Sequence, residues 1–324
     1  MIEKNIIFEN PYCVVTQEHN PIIKKMKLTE HDTAGDIFFY SLFDGIMLAI
    51  ISTNVKSFPV PSEFGIVGKN IILLNYCIKG RTEVNLDNNL FACVAENELC
   101  ISKSSAIDKY SYPQKMYSGI ELLFDTDILH DRETFFSRDL DIDILSSLRY
   151  YCSDPKPYLA TVTPKIEVLM HELLNAQKNE NFFDMKLAII KLLRLISEHH
   201  LPLAENKRTY LTLVQVKVVQ AVEKTITDDL QKNFTVLDLA KKFSMGESSL
   251  KNYFKIYYGQ SITEYLREVR MNRAALLLGN TKLKIIDIAT SIGYENQSKF
   301  AAVFKKYYEV SPLEYRRLKQ IDAE

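Results

Sequence analysis

Residues 254–267 read FKIYYGQSITEYLR, and residues 304–317 read FKKYYEVSPLEYRR. The two stretches are identical at eight of their fourteen positions. Further upstream, Asp238-Leu239-Ala240 corresponds to Asp287-Ile288-Ala289 at an offset of forty-nine residues. An internal repeat takes priority over other patterns because it decides the architecture. Each copy has the pattern of a short helix, a tight turn and a second helix, so the sequence predicts two helix-turn-helix units.

The first copy carries start and stop signals for both of its helices. Thr235 is a suitable N-cap for a helix over 236–243, because its hydroxyl can accept a hydrogen bond from a free amide of the first turn. Residues 244–246 (Ser-Met-Gly) form the turn. The second helix is predicted over 247–258 and ends at Gly259, since glycine commonly terminates helices. Five side chains form the predicted inner face: Leu239, Ala240, Phe243, Leu250 and Phe254.

The second copy follows the same plan. Its first helix is predicted around 285–292, its turn at Gly293-Tyr294, and Asn296 is the predicted N-cap of a helix over 297–308. Between the copies, residues 262–278 predict one connecting helix, about 25 Å long at 1.5 Å per residue. Successive major grooves on one face of DNA lie about 34 Å apart. A connector of this length could therefore hold two helices in adjacent grooves.

With these motifs, residues from about 214 to 317 resemble the DNA-binding domain of AraC/XylS-family transcription regulators. The stretches that carry the resemblance are Asp238-Leu239-Ala240, Leu250, Phe254, Gly259, Asp287-Ile288-Ala289, Ile292-Gly293-Tyr294, Phe300, Phe304-Lys305-Lys306 and the ending Ser311-Pro312-Leu313-Glu314-Tyr315-Arg316. The resemblance implies sequence-specific binding to promoter DNA, most often with activation through RNA polymerase.

The same resemblance implies which residues contact DNA. The base-reading candidates are Ser248, Ser249, Asn252, Gln297, Ser298 and Ala301. The phosphate-binding candidates are Lys251, Lys255, Lys299, Lys305 and Lys306. The sequence departs from the family at Gly246 and Lys284, where a capping residue is frequent, and at Ala302, where some members carry a long basic residue. We therefore expect the second unit to read DNA more weakly, by apolar contact and shape.

The N-terminal part is predicted to be rich in strands from about residue 37 to residue 124. Residues 71–77, 82–86 and 117–124 have the length and composition of strands, and 87–89 (Asp-Asn-Asn) suit a hairpin turn. Combined with the family resemblance, this predicts an α+β fold class. The expected architecture is an N-terminal cupin-like β-barrel sensor with a helical dimerisation segment, followed by a C-terminal all-α double helix-turn-helix domain.

Helical signals follow the strands. Thr163-Pro164 predicts the start of one helix, and Asp184 is the predicted cap of a second helix over 185–199 that is apolar on almost every side. Such a helix is buried all round, either inside the monomer or in a dimer interface. Beyond it, a helical stripe is predicted from Val214, Val218, Val219, Val222 and Ile226. The predicted domains are an effector-sensing domain (1–130), a dimerisation segment (131–202), a linker (203–209) and a DNA-binding domain (210–320).

Four aromatic residues are candidates for lining an effector pocket, with the effector itself unknown: Phe38, Tyr40, Phe58 and Tyr76. The segment 75–83 is similar to the sensor domains of siderophore-responsive members of the family, such as the pyochelin and yersiniabactin regulators. A likeness at the level of the fold does not identify a ligand.

Composition and charge limit the remaining possibilities. The net charge is −1, but residues 208–324 hold 19 Lys+Arg against 13 Asp+Glu, a net charge of +6. A basic C-terminal part fits a nucleic-acid partner. The absence of a signal-peptide pattern and of a long apolar stretch predicts a cytoplasmic protein with no membrane partner. The five cysteines, with no Cys-x-x-Cys pair, are predicted to be reduced and mostly buried.

The histidines and cysteines have no metal-ligand spacing, and no phosphate loop or nucleophile elbow is present. The sequence therefore predicts no metal, no cofactor and no enzyme activity. The expected partners are promoter DNA, RNA polymerase, a small-molecule effector and a second copy of the chain. Two alternatives remain: an enzyme with an appended DNA-binding module, and an interaction protein whose paired units no longer bind DNA.

Overall fold

A computed structural model describes residues 12–17, 23–30, 33–59, 70–86, 90–103, 109–130, 135–154, 156–204 and 210–321. The chain divides into two compact units, Met1–Tyr210 and Leu211–Glu324. The predicted linker at 203–209 falls largely outside the described residues.

The first unit is built on antiparallel strands. Their bounds are β1 Tyr12–Gln17, β2 Ile23–Glu30, β3 Thr33–Phe43, β4 Ile46–Thr53, β5 Ser57–Pro59, β6 Ile71–Leu86, β7 Leu90–Ala95, β8 Glu98–Lys103, β9 Lys109–Ser111, β10 Tyr117–Asp125 and β11 Tyr158–Thr161. Neighbouring strands follow the order β1-β2-β3-β4-β10-β6-β7. Strand β6 also pairs with β8 and β9, and these two pair in turn with β11 and β5.

Strand β6 is one sixteen-residue strand, whereas the sequence predicted two strands over 71–77 and 82–86. The join is made at Gly80, whose φ is +84°. A Cβ at this position would lie 2.0 Å from the backbone carbonyl oxygen of Met116, so only glycine lets the two backbones approach this closely. The N-terminal half of β6 pairs with β8 and its C-terminal half with β7. The predicted turn at 87–89 lies outside the described residues.

Side chains alternate between the two faces of the sheet, because successive residues of a strand point in opposite directions. On β6, Leu74 and Tyr76 belong to a core shared with the helices of this unit. Leu73 and Cys77 belong to a second core that strands β2, β3, β4, β7, β8, β10 and β11 also enter. The sheet is thus covered by helices on one face and curls around a core of its own on the other.

The expected cupin-like barrel is not confirmed. The structure has an N-terminal antiparallel sheet, but no pairing among the described strands returns from β7 or β8 to β1, so the sheet is not closed. The coarser expectation of a mixed α and β chain with a helical C-terminal domain is confirmed.

The helices of the first unit are α1 Thr126–His130, α2 Phe135–Leu140, α3 Ile144–Tyr151, α4 Pro164–Lys178 and α5 Phe182–Ser197. Helix α4 begins as predicted, with the Thr163 hydroxyl accepting a hydrogen bond from the Ile166 amide. Helix α5 begins earlier than predicted, because the side chain of Asn181 accepts a bond from the Asp184 amide at 3.1 Å and thereby caps it.

Helix α5 is not buried on every side within the monomer, so of the two alternatives complete burial inside the monomer is wrong, and burial in a dimer interface stays a prediction. Met185, Ile189 and Leu192 are buried in the core beneath the sheet. Phe183, in contrast, is 74% exposed and Leu187 is 40% exposed. These two side chains lie four residues apart, on one face of the helix.

Four cysteines are buried thiols, as predicted: Cys77, Cys93, Cys100 and Cys152. Burial raises the pKa of Cys77 to about 12 and that of Cys152 to about 11. Both therefore stay protonated and unreactive near neutral pH. The side chain of Cys13 is outside the described residues.

The second unit is helical after a two-residue strand, β12 Leu211–Thr212. Its helices are α6 Leu213–Asp228, α7 Val236–Lys242, α8 Glu247–Tyr258, α9 Ile262–Asn280, α10 Ile285–Ser291, α11 Gln297–Tyr308 and α12 Pro312–Ile321. In the predicted stripe of α6, Val219, Val222 and Ile226 are buried, whereas Val214 is exposed. Across the described residues, no helix combines the length and apolar character needed to cross a membrane.

Candidate nucleic-acid interface

The first helix-turn-helix comprises α7 and α8. The Thr235 hydroxyl accepts a hydrogen bond from the Asp238 amide at 3.1 Å, as predicted for the N-cap. Ser244 supplies the turn with a left-handed residue, φ 52°. Helix α8 starts after Gly246, which offers no capping side chain, and ends at Gly259 in the left-handed conformation. The predicted inner face is confirmed for Leu239, Ala240, Leu250 and Phe254, while Phe243 is half-buried.

The second helix-turn-helix comprises α10 and α11. Lys284 precedes α10 and provides no capping bond. The turn passes through Gly293, with φ 84°, and Tyr294. The Asn296 side chain accepts from the Lys299 amide at 3.0 Å and caps α11, as predicted. Both predicted helix pairs are therefore present with their predicted turns.

The residues that repeat in the sequence perform the same packing in both copies. Phe254 lies edge-on to Tyr265, with ring centroids 5.5 Å apart, and Tyr258 lies 4.8 Å from Tyr265. In the second copy, the equivalent centroid distances to Tyr315 are 5.4 Å from Phe304 and 5.1 Å from Tyr308. Each aromatic triad clamps a recognition helix, α8 or α11, to the helix that follows it.

The N-terminal ends of the two recognition helices present polar side chains to solvent. Five of the six base-reading candidates are exposed: Ser248, Ser249, Asn252, Gln297 and Ser298. Ala301 is half-buried, whereas its neighbour Ala302 is exposed and occupies the position equivalent to Asn252. Helices α8 and α11 thus expose Ser, Asn, Gln and Lys side chains. All four residue types can form hydrogen bonds with base edges.

All five lysines considered for phosphate binding are exposed: Lys251, Lys255, Lys299, Lys305 and Lys306. Lys251 forms an ion pair with Glu247, one turn earlier on α8. An exposed pair of this kind contributes little to stability, so a phosphate can displace the carboxylate. The lysine positions suit backbone contacts, which orient a protein on DNA without reading its sequence.

Within the C-terminal unit, a groove between the two helix-turn-helix motifs adds residues that the sequence did not indicate. It has a volume of about 870 Å³ and is lined by Lys255, Arg267, Lys306 and Tyr307, among others. Tyr307 is 40% exposed, although its counterpart Tyr257 is buried. Arg267 was the overlooked signal, since it is one of the identical residues of the repeat. The groove places three cations, together with the carboxylate of Glu264, between the recognition helices.

Helix α9 connects the two helix-turn-helix motifs and has nineteen residues, which corresponds to a length of about 28 Å. Its N-terminus is closed by a reciprocal capping box between Ser261 and Glu264. Ser311 and Glu314 form the same two bonds at the start of α12.

The family model described as "Helix-turn-helix domain" matches residues 239–318, which extend from α7 to α12. The Msm operon regulatory protein of Streptococcus mutans is 36% identical over 99 residues, covering 31% of this chain and 36% of that protein. The lactose operon transcription activator of Staphylococcus xylosus is 38% identical over 107 residues, covering 32% and 38%. Residues 239–318 form an AraC-type helix-turn-helix domain.

A solved transcriptional regulator from Chromobacterium violaceum, described as containing an AraC-type DNA-binding domain, is 26% identical. The match covers 32% of this chain and 93% of that one, with a TM-score of 0.30. The chain spans little more than a third of the length of the two operon regulators, and in each case the similarity corresponds in extent to the AraC-type domain. These relatives are transcription regulators rather than enzymes.

The first unit holds the candidate effector residues. Tyr40 and Tyr76 are buried in the core between the sheet and the helices, and Phe38 packs against that core. The Tyr40 hydroxyl accepts a bond from Gln177 at 3.0 Å. The side chain of Phe58 lies outside the described residues. The assignment of these residues to an effector pocket stays a prediction.

The opposite core contains a polar group that the sequence did not reveal. The Asn75 amide donates to the Tyr117 hydroxyl at 2.7 Å and to the Glu121 carboxylate at 2.9 Å. Tyr112 stacks on Tyr117 with centroids 4.6 Å apart. The Asn75 carbonyl oxygen and the Tyr112 hydroxyl are buried without a partner in the described part of the chain. Within that same part, no three His, Cys, Asp or Glu side chains cluster as metal ligands would.

Proposed function

We propose that the protein is a sequence-specific DNA-binding transcription regulator. The observation that carries this proposal is the pair of recognition helices, each exposing polar and basic side chains at its N-terminal half within one AraC-type domain. In a helix-turn-helix, this part of the second helix enters the major groove. Ser249, Asn252, Gln297 and Ser298 would read base edges.

The charge of the domain supports the same function. The lysines of α8 and α11 are exposed, and the groove residue Arg267 adds a further cation between them. Cations on both recognition helices and between them suit contacts with phosphates of the DNA backbone, which carry much of the affinity. This arrangement disfavours the alternative of an interaction protein that no longer binds DNA.

Control by a small-molecule effector and dimerisation are part of the proposal. In the first unit, the buried oxygens of Asn75 and Tyr112 would be satisfied by a polar ligand entering the core of the sheet, since unsatisfied buried polar groups are costly. The exposed Phe183 and Leu187 of α5 offer an apolar face for a second copy. Activation would then proceed through RNA polymerase at the promoter.

The first experiment is selection of bound fragments from the source genome with the purified full-length chain at physiological salt. Recovery of a shared site with two sequence elements about one helical turn apart, near 34 Å, is the expected result. Recovery of fragments that share no site, both with and without added metabolite mixtures, would overturn the proposal.

Two substitutions separate base reading from phosphate binding. Gln297→Ala should cost about 1–3 kcal/mol at one base position and relax preference there, whereas Lys305→Ala should weaken binding to all sequences. The salt dependence should flatten by about one unit of slope for Lys305→Ala. Binding is measured by fluorescence anisotropy over a series of salt concentrations, with single-base variants of the selected site. Equal loss of base preference in both variants would contradict these roles.

A further inference from the structure

Arg270 of the connecting helix α9 binds the loop that leads into the first helix-turn-helix. Its Nε donates to the carbonyl oxygen of Leu230 at 3.0 Å. Its Nη2 donates to the carbonyl oxygen of Lys232 at 3.0 Å and to Oδ1 of Asn233 at 3.2 Å. These residues lie between the end of α6 and the start of α7, where no helix supplies partners for the two carbonyl groups. One side chain therefore holds three acceptors of a loop that is some forty residues away in sequence.

The same guanidinium group packs against the turn of the second helix-turn-helix. It lies over the Tyr294 ring, with its central carbon 6.0 Å from the ring centroid. A Cβ at Gly293 would come within 2.6 Å of the Arg270 Nη2 atom and 2.7 Å of the Leu230 carbonyl oxygen. Three segments thus meet at Arg270: the connecting helix α9, the loop before the first helix-turn-helix and the turn of the second helix-turn-helix.

This arrangement requires a planar, forked cation. A guanidinium group donates several bonds in fixed directions and can also stack on an aromatic ring. A lysine amine would keep the charge but could not span the three acceptors and cover Tyr294 together. The group is half-buried, so its bonds are less open to competition from water than those of an exposed arginine.

We propose that Arg270 is a positioning residue that sets the separation and rotation between the two recognition helices. It would thereby determine which spacing between two DNA elements the protein accepts. The inference rests on the proposed function, because it concerns how the two helix-turn-helix motifs bind one DNA molecule. Helix α9 sets the distance between the two recognition helices, and the Arg270 contacts prevent the two helix-turn-helix motifs from rotating about α9.

The test uses duplexes carrying the selected two-element site, with the spacer unchanged or altered by one or two base pairs in either direction. The full-length wild-type chain should bind the natural spacing about tenfold more tightly than spacers altered by two base pairs. Arg270→Met should lose most of this preference, with affinity for the natural spacing falling about tenfold. Its affinity for a duplex with a single element should stay within about twofold of wild type.

Arg273→Met is the matched control, since Arg273 is exposed on the same helix and the substitution removes the same charge. It should keep the spacing preference. Arg270→Lys should behave like Arg270→Met, and recovery of the preference by lysine would overturn the argument from forked geometry. Asn233→Ala removes one acceptor with an exposed side chain and should weaken the preference partially, even if Arg270→Met does not fold.

The outcomes separate the inference from the function on which it rests. If the wild-type chain shows no specific site, the proposed function fails. If the wild-type chain has a spacing preference and both Arg270→Met and Asn233→Ala retain it fully, the role of Arg270 is refuted. An equal loss of affinity for single-element and two-element DNA in Arg270→Met, with helical circular dichroism intact, would likewise refute it. If Arg270→Met loses its helical circular dichroism, Asn233→Ala decides, and full retention of the spacing preference in that variant refutes the role of Arg270.

Discussion

Glu309 ends helix α11 in the left-handed conformation, with φ 65°. The equivalent residue of the first copy is Gly259, with φ 78°. Side chains with a Cβ incur a cost of about 1 kcal/mol or more in this region, because the Cβ crowds the neighbouring carbonyl group. The repeat therefore contains a glycine where the geometry favours it and a strained glutamate where the same geometry recurs.

Glu309→Gly should stabilise the AraC-type domain by roughly 0.5 kcal/mol, because relief of strain exceeds the greater flexibility of glycine in the unfolded chain. Circular dichroism during urea unfolding of the full chain measures the effect, since the chain has no tryptophan to report by fluorescence. Glu309→Gln is the control, because it removes the charge and leaves the strain. A gain of equal size in both variants would assign the effect to charge.

At the scale of helices, the identities of the repeat correspond to two tasks. Phe254, Tyr258 and Tyr265, with their counterparts in the second copy, pack a recognition helix against the next helix. Ser261 and Glu264, again with counterparts, close the next helix by a capping box. The exposed residues of α8 and α11 are largely different between the copies. Two helices with one scaffold therefore present different side chains to solvent.

The capping boxes should make the stability of the domain depend on pH. Hydrogen bonds from the hydroxyl and backbone amide of Ser261 lower the pKa of Glu264, and those of Ser311 lower the pKa of Glu314. A carboxyl group with a lowered pKa in the folded state contributes stability above its unfolded pKa, about 4.3. That contribution is lost as the pH falls through the lower, folded value.

Replacement of both glutamates, Glu264→Gln with Glu314→Gln, should therefore flatten the decline in stability below about pH 5 relative to the wild-type chain. Urea unfolding at a series of pH values from neutral to pH 3 measures the difference. The matched control is Glu247→Gln with Glu309→Gln, which removes two exposed carboxylates that take no part in a capping box. Parallel pH profiles for wild type and the capping-box variant would show that the boxes do not contribute.

At the scale of the whole molecule, the two units have different charge and different exposed surfaces. The C-terminal part carries a net positive charge. Exposed large apolar side chains occur in both units, and in the first unit Phe183 and Leu187 share one face of α5. An apolar helix face of this kind is typical of contacts between copies of a chain. This observation supports the dimer included in the proposed function.

Phe183→Asp should weaken self-association of the full-length chain by about tenfold or more, because the substitution replaces an aromatic side chain that the proposed dimer interface would bury with a charged one. Sedimentation analysis over a range of concentrations measures the dissociation constant. Phe135→Asp is the control, since Phe135 is a 44% exposed phenylalanine on α2 of the same unit. An unchanged constant for Phe183→Asp would place the dimer contact elsewhere.

The sequence by itself determined the two helix-turn-helix units and the bounds of α8 and α11. The signals for these features are local: a capping side chain, a turn glycine and apolar residues at helical spacing all act within a few residues. It also determined the sites of the exposed polar side chains on both recognition helices, because these fall opposite the apolar face. The start of α5 was predicted three residues late, because the side chain of Asn181 and not that of Asp184 caps the helix.

Only the tertiary structure decided how these elements combine. Arg270 bonds to residues some forty positions away, and Tyr307 is exposed while the identical Tyr257 is buried against Gln220. The sheet does not close among its described strands, and β6 runs through Gly80 as one strand. Local sequence cannot specify such features, because contacts between distant segments depend on how the elements pack and on which backbones approach each other closely.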